Sequence, residues 1–193
     1  SLKPDGFTIK VKPRPDVVRG DSQGSVDSEH SANVSTVSES SAKRPSHGTK
    51  LCVLYGSNLG ATENIARAIA SAGDLNGFDT TLATLDEYSG KLPKEGAVII
   101  ASASYNGAAP DNAAKFVDWI KNAKEEEVKG VQFVVFGCGN RDWASTYQDV
   151  PRILDERLAE LGAKRLTERV EADAREGLDG TFQPWLASIW QNI

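Results

Sequence analysis

The chain has 193 residues and carries 22 Lys and Arg against 27 Asp and Glu, a formal net charge of −5. This charge argues against a nucleic-acid partner, because the phosphate backbone is bound through surplus Lys and Arg. The apolar runs are shorter than the roughly 20 residues that a membrane-spanning helix needs, and no signal-peptide pattern opens the chain. With Ser at position 1 and no Met, we expect the sequence to be a piece of a larger protein.

The first quarter of the chain differs in composition from the rest. Residues 1–20 contain a short alternation of apolar and polar residues, which predicts one strand without a local partner. Residues 21–49 are rich in Ser and nearly free of large apolar side chains, so burial cannot offset the entropy lost on ordering them. We therefore predict a flexible linker at 21–49 and one folded domain at 50–193.

From residue 50 onward, short apolar runs alternate with segments of helical periodicity. The run at 97–103 is continuously apolar, which is typical of a strand buried on both faces. The alternation predicts an α/β fold, a doubly wound five-stranded parallel sheet with helices on both faces. For such a sheet we expect the strand order 2-1-3-4-5. The predicted strands are 51–55, 79–84, 97–103, 131–136 and 165–170, and the predicted helices are 62–71, 112–122, 150–161 and 180–191.

The segment 56–63, Gly-Ser-Asn-Leu-Gly-Ala-Thr-Glu, joins the first predicted strand to the first helix. Such a loop directs backbone N–H groups and the positive end of a helix dipole at one point, which suits a phosphate, and Ser57 and Thr62 add hydroxyl donors. It lacks both the Lys of a nucleotide triphosphatase loop and the glycine spacing of a dinucleotide site. The loop therefore favours the single phosphate of a mononucleotide, with a turn that binds nothing as the alternative.

Two further loops follow strands three and four, at the carboxyl edge where such sheets bind ligands. Each carries an aromatic residue just beyond a buried strand, Tyr105 in the first and Trp143 in the second. Two rings beside one point of strand-order reversal suggest a slot for a flat ring, and the plainer alternative is that each ring packs on its own loop. A phosphate cradle and a ring slot together predict flavin mononucleotide (FMN).

Four segments, 56–63, 103–107, 110–113 and 136–143, together resemble the motifs of a known family. The likeness is to the FMN domain of diflavin reductases, above all of bacterial enzymes in which a fatty-acid-hydroxylating cytochrome P-450 is fused to its own NADPH reductase. It implies a flavodoxin-like fold from about residue 50 to the C-terminus. Residues 2–11 resemble the last strand of that family's haem domain, which makes 1–20 a remnant of the haem-domain C-terminus.

The resemblance implies roles by position. The loop after strand one would hold the phosphate, Tyr105 and Trp143 would sandwich the isoalloxazine, and the remaining residues would line its edge and complete the pocket. Leu59 and Ala61 stand where many flavodoxins carry hydroxyl residues, which predicts weaker binding. We expect no catalytic side chain and no metal ligand. The implied FMN-binding residues are Ser57, Asn58, Leu59, Gly60, Ala61, Thr62, Ser104, Tyr105, Asn106, Gly107, Ala108, Cys138, Gly139, Asn140, Trp143 and Tyr147.

The same resemblance implies electron transfer, one electron at a time, from an NADPH/FAD reductase module through this FMN to the haem of the fused P-450. FAD, NADPH and haem are implied in the full-length oxidoreductase, whereas the piece alone would carry electrons without turnover. Its partners would be the haem domain and the FAD/NADPH domain of the same or a paired chain, with no nucleic acid and no membrane. Acidic side chains would steer it toward basic partner surfaces; they are Glu125, Glu126, Glu127, Asp142, Asp149, Asp155, Glu156, Glu171, Asp173 and Asp179.

Two alternatives remain on the residues alone. One is a free-standing flavodoxin-type carrier, against which the strand and linker at the N-terminus count. The other is a non-flavin receiver or regulatory module of the same fold, although the first loop lacks the acidic residues that a receiver needs. Cys52 lies on the first predicted strand, and Cys138 is expected just past the end of the non-adjacent fourth. We therefore predict two reduced thiols, which fits a cytoplasmic setting.

Overall fold

Residues 42–193 are described by the computed structural model of the chain. The predicted haem-domain remnant at 1–20, and the predicted linker as far as residue 41, lie outside the described residues. The end of the predicted linker contacts the domain, because the Arg44 N–H donates to the Leu75 carbonyl at 2.8 Å and the His47 N–H donates to the Gly77 carbonyl at 3.0 Å.

The described residues form six strands and five α-helices. The sheet order β2-β1-β3-β4-β5 confirms the predicted topology, and all of its strand pairs are parallel. The strands are β1 Lys50–Gly56, β2 Asp79–Thr84, β3 Ala97–Ala103, β4 Gln132–Gly139, β5 Lys164–Arg165 and β6 Val170–Asp173. The helices are α1 Ala61–Leu75, α2 Ala114–Asn122, α3 Glu125–Val128, α4 Asp149–Glu160 and α5 Asp179–Ile189.

The single strand predicted at 165–170 is wrong, because two short strands replace it. Both pair with β4, and their registers join Phe133 to Arg165 and Phe136 to Val170. Between these two pairs β4 has two residues, whereas the chain that pairs with it has four. The extra residues between Arg165 and Val170 therefore loop out of the sheet. The buried carboxylate of Asp155 stabilises this loop. It accepts a hydrogen bond from Arg165 at 2.9 Å and lies 3.8 Å from the Arg169 guanidinium.

Apolar side chains cover both faces of the sheet. One face packs against α1 and α5, the other against α2 and α4, and every residue of β3 is buried, as its continuous apolar sequence predicts. The strands therefore provide a rigid support whose carboxyl ends carry the loops of interest. Among residues 42–193, no helix combines the length and the apolar character needed to cross a membrane.

The prediction that Cys138 lies past a strand end is wrong. β4 continues to Gly139, where its register pairs Cys138 with both Ala103 of β3 and Ala172 of β6. Two neighbouring strands thus extend the ladder beyond the apolar run from which the end of β4 was predicted. Both Cys138 and Cys52 are buried, and neither forms a disulfide.

Candidate functional site

A cavity of about 480 Å³ opens at the carboxyl edge of the sheet, among the loops that follow β1, β3, β4 and β6. Ten of the sixteen residues predicted to bind a ligand line it. Ala174 and Leu178, which follow β6, also line it and were missed, because the predicted fifth strand ended before them. The ten predicted lining residues are Leu59, Ala61, Thr62, Ser104, Tyr105, Asn106, Cys138, Gly139, Asn140 and Trp143.

The loop after β1 is shaped by its own side chains and by the segment that precedes α2. Gly60 has a φ of 93° at the start of α1, a conformation that glycine adopts without strain, and its N–H donates to the Ser57 hydroxyl at 3.1 Å. The Ser57 N–H donates to the side-chain oxygen of Asn112 at 2.9 Å, and the Asn58 side-chain oxygen accepts from the Asp111 N–H at 2.8 Å. Asn112, which the sequence analysis did not assign to the site, thus holds the loop in place.

Two successive amides of this loop converge on one oxygen atom. The hydroxyl of Tyr105 accepts from the Asn58 N–H at 3.0 Å and from the Leu59 N–H at 3.4 Å. The N–H groups of Ser57 and Gly60 also donate within the protein, so all four successive amides of this loop have protein acceptors. A phosphate bound by the Asn58 and Leu59 amides would replace the Tyr105 hydroxyl as their acceptor. A second polar group belongs to the same cavity, because Ser104 Oγ is buried and lacks a hydrogen-bond partner within residues 42–193.

The loop after β3 is a tight turn. Tyr105 and Ala108 exchange both backbone hydrogen bonds, at 3.0 and 2.9 Å, around Asn106 and Gly107. These two central residues have φ values of 52° and 80°, the left-handed pair of a type I′ turn. A Cβ at Gly107 would stand 3.1 Å from the methyl carbon of Thr146, so the turn lies close to the loop after β4.

Trp143 ends a short 3₁₀ turn, Arg141–Trp143, in the loop after β4. The Asn140 side chain caps this turn by accepting from the Asp142 N–H at 2.8 Å. The Trp143 residue is 59% exposed although it lines the cavity, so it is not packed away on its own loop. Leu59, in the loop after β1, also lines the cavity and is 84% exposed. The cavity therefore has a rim of large apolar side chains, which leaves ring surface free to contact a flat ligand.

Six predicted residues stand outside the cavity wall. Tyr147 packs behind it, because a Cβ at Gly139 would meet the Tyr147 ring at 2.9 Å, and the Arg141 guanidinium lies 5.4 Å from the centre of that ring. The other five belong to the two loops already described, where they shape the turns. These five are Ser57, Asn58, Gly60, Gly107 and Ala108.

Asp173, at the end of β6, joins two loops of the site. Its carboxylate is 6% exposed and accepts from the backbone N–H groups of Arg141 at 3.2 Å and Arg175 at 3.1 Å. Burial alone would raise the pKa of this carboxyl group, but these hydrogen bonds and the two guanidinium groups hold the pKa below its usual value. The ionised carboxylate therefore links the loop after β4 to the loop after β6.

The floor of the cavity is uncharged. Burial raises the pKa of the Cys138 thiol to about 11, and a hydrogen bond with the Thr62 side chain opposes part of that rise. Thr62 is itself only 2% exposed. A neutral, buried thiol is a poor nucleophile, so the chemistry of the floor is that of a binding surface.

Several acidic residues that were predicted to steer partners are engaged within the protein. Asp155 and Asp173 are buried, so their inclusion in a docking surface is wrong. Others lie beside arginines, with Asp142 3.3 Å from Arg175 and Asp149 2.9 Å from Arg152. The negative field near the cavity is therefore weaker than the sequence count suggests.

Comparisons with known proteins show which family the chain resembles. The family model described as flavodoxin matches residues 53–185. The bifunctional cytochrome P450/NADPH–P450 reductase 2 of Bacillus subtilis is 46% identical over 191 residues, which cover 99% of this chain and 18% of that protein. The bifunctional cytochrome P450/NADPH–P450 reductase of Bacillus cereus is 40% identical and covers 100% of this chain and 18% of its own length. The chain thus spans about a fifth of the length of these relatives.

Solved structures show the same fold. The C101A mutant of flavodoxin from Pseudomonas aeruginosa superposes with a TM-score of 0.63 at 24% identity, over 75% of this chain and 98% of that one. Oxidised flavodoxin 1 from Bacillus cereus gives a TM-score of 0.61 at 21% identity, over 75% of this chain and 99% of that one.

Proposed function

The chain belongs to the flavodoxin family, and from this premise we propose that it binds FMN in the cavity at the carboxyl edge of the sheet and carries electrons one at a time. One observation carries the assignment of the site. Two successive loop amides that converge on the Tyr105 hydroxyl lie beside a cavity that two aromatic side chains, Tyr105 and Trp143, line. This combination fits a ligand that has a phosphate at one end and a flat ring at the other.

The residues of the chain would divide the work of binding. The loop from Ser57 to Thr62 would hold the phosphate through backbone N–H groups and hydroxyls, and Tyr105 and Trp143 would contact the faces of the ring. The type I′ turn at Asn106 and Gly107 would present backbone groups to the ring edge. FMN, when bound, supplies the redox chemistry, and the protein sets its orientation and its exposure to solvent.

The larger assembly is part of the proposal. The names of the two Bacillus relatives join a cytochrome P450 to an NADPH–P450 reductase. We infer that this domain passes electrons from an NADPH/FAD module to the haem of a fatty-acid-hydroxylating P-450, in the same or a paired chain. A free-standing carrier is less favoured, because the match to the first relative covers 99% of the chain, including residues that precede β1. A cytoplasmic setting is supported by the two free cysteines.

The direct test is a titration of the purified chain with FMN, followed by absorption and by quenching of flavin fluorescence. We expect a 1:1 yellow complex and no comparable affinity for riboflavin, which lacks the phosphate. A chain that takes up no FMN would refute the proposal. Equal affinities for FMN and riboflavin would refute the role of the loop after β1.

A further inference from the structure

Gln148 combines burial and backbone strain in a way that the binding site described above does not explain. It is 1% exposed, and its φ of 62° lies in the left-handed region, which few residues other than glycine adopt. It stands immediately before α4, at the end of the loop that carries Trp143. A buried polar side chain in such a conformation persists only where its surroundings hold it there.

The side-chain amide of Gln148 joins two strands. Its Nε2 donates to the carbonyl oxygen of Gly137 in β4 and to that of Ala172 in β6, each at 3.2 Å. The two glycines near the end of β4 make room for this amide. A Cβ at Gly137 would overlap the Gln148 side-chain oxygen, and a Cβ at Gly139 would stand 3.0 Å from its nitrogen. The glycine spacing at the end of β4 thus fits the amide of Gln148.

We propose that Gln148 is a positioning residue for the ring slot, holding β4 and β6 together directly beneath the two loops that form its walls. β4 leads into Asn140 and Trp143, and β6 leads into Ala174 and Leu178, all of which line the cavity. Gln148 also fixes the far end of the loop after β4. This inference rests on the proposed binding of FMN.

The test compares Gln148→Ala with Gln132→Ala in the 193-residue chain. Gln132 lies at the opposite end of β4 and also donates its side-chain amide to a backbone carbonyl, that of Gly96 at 3.5 Å. Both variants are measured well below their melting temperatures. We expect Gln148→Ala to raise the Kd for FMN about tenfold, because it removes two neutral hydrogen bonds that hold the strands beneath the slot. Gln132→Ala should leave the Kd unchanged. At saturating FMN, Gln148→Ala should also change the circular dichroism of the flavin bands.

The outcomes separate the two proposals. If the unmodified chain binds no FMN, the proposed function fails. If it binds FMN, and Gln148→Ala binds it with the same Kd and the same flavin circular dichroism, only the positioning role is overturned, even where the melting temperature falls. Should Gln148→Ala not fold, Gln148→Gly replaces it, because glycine accepts the left-handed backbone while removing the amide.

A measurement on the unmodified chain needs no folded variant. The side-chain NH₂ of Gln148 should exchange with solvent at least tenfold more slowly than that of exposed Gln183, because both of its hydrogen bonds are buried. Equal exchange rates for the two side chains, with and without FMN, would overturn the inference.

Discussion

Replacement of Trp143 by Ala tests the ring slot. The residue is 59% exposed, so about 120 Å² of a side chain of roughly 200 Å² is free to contact a ligand. If a flat ring covers about 80 Å² of it, burial contributes about 2 kcal/mol at roughly 25 cal/mol per Å². Stacking adds about 1 kcal/mol. Losing about 3 kcal/mol should raise the Kd for FMN about 100-fold.

The assay is a fluorescence titration with FMN, and the matched control is Trp119→Ala. Trp119 is half-buried on α2, where its ring lies 5.1 Å from that of Phe116 and its Nε1 donates to Glu127 at 3.1 Å. Its loss should lower the free energy of unfolding by about 3 kcal/mol and leave the Kd unchanged. Trp143→Ala should raise the Kd and leave the free energy of unfolding nearly unchanged. An unchanged Kd in Trp143→Ala, or equal effects of both variants on Kd, would refute the assignment of the slot.

Three further predictions concern packing, pH and salt. Gly137→Ala should lower the free energy of unfolding by about 1–3 kcal/mol, because its Cβ overlaps Gln148. Gly180→Ala has open space around it in the first turn of α5, so it should leave the free energy of unfolding unchanged or raise it by up to about 1 kcal/mol. Equal urea-denaturation midpoints for the two variants would contradict this. Because the pKa of Asp173 is lowered on folding, its contribution to stability is complete above the unfolded value of about 3.9 and is lost as pH falls through the folded value. The stability difference between the unmodified chain and Asp173→Asn should therefore be constant from about pH 6 to 8 and shrink below about pH 4 in acid titrations; a difference that shrinks between about pH 6 and 8 would exclude this assignment. The rate of electron transfer to a basic haem protein, followed by stopped flow, should fall as ionic strength rises from about 0.01 to 1 M, since the screening length drops from about 30 to 3 Å; a rate unaffected by salt would remove the steering role.

The sequence predicts the first four strands and the three principal loops because these depend on local signals, whereas the sheet order was expected from the fold class that their alternation indicates. The apolar run of β3 and the small-residue loop after β1 need no distant partner to be recognised. The division between β5 and β6 depends instead on contacts across the fold. Residues 166–169 contain Thr, Glu and Arg, and nothing in that order shows that two arginines will meet Asp155. For the same reason the lining residues beyond β6 were missed.

The roles of Gly137, Gly139 and Gln148 were also beyond the sequence. The sequence analysis included Gly139 only among the FMN-binding residues that the resemblance implies, and it gave Gly137 and Gln148 no role. The structure shows that both glycines also admit side chains from inside the protein, Gln148 at each and Tyr147 at Gly139. Such a fit between backbone and a distant side chain has no periodicity or spacing by which it can be recognised before the fold is known.

The arrangement separates stability from binding. The sheet and its helices are held by buried apolar residues, whereas Trp143 and Leu59, on the rim of the cavity, are largely exposed and add little to that core. Replacing a rim residue should therefore alter affinity with little effect on folding. Tyr105 serves both purposes. Its ring lines the cavity, and its hydroxyl accepts hydrogen bonds from two backbone amides of the loop after β1. Because Tyr105 contacts both the loop after β1 and the ring slot, the positions of the phosphate and the ring would be coupled through it. A substitution in either part of the site should therefore change binding in the other part as well.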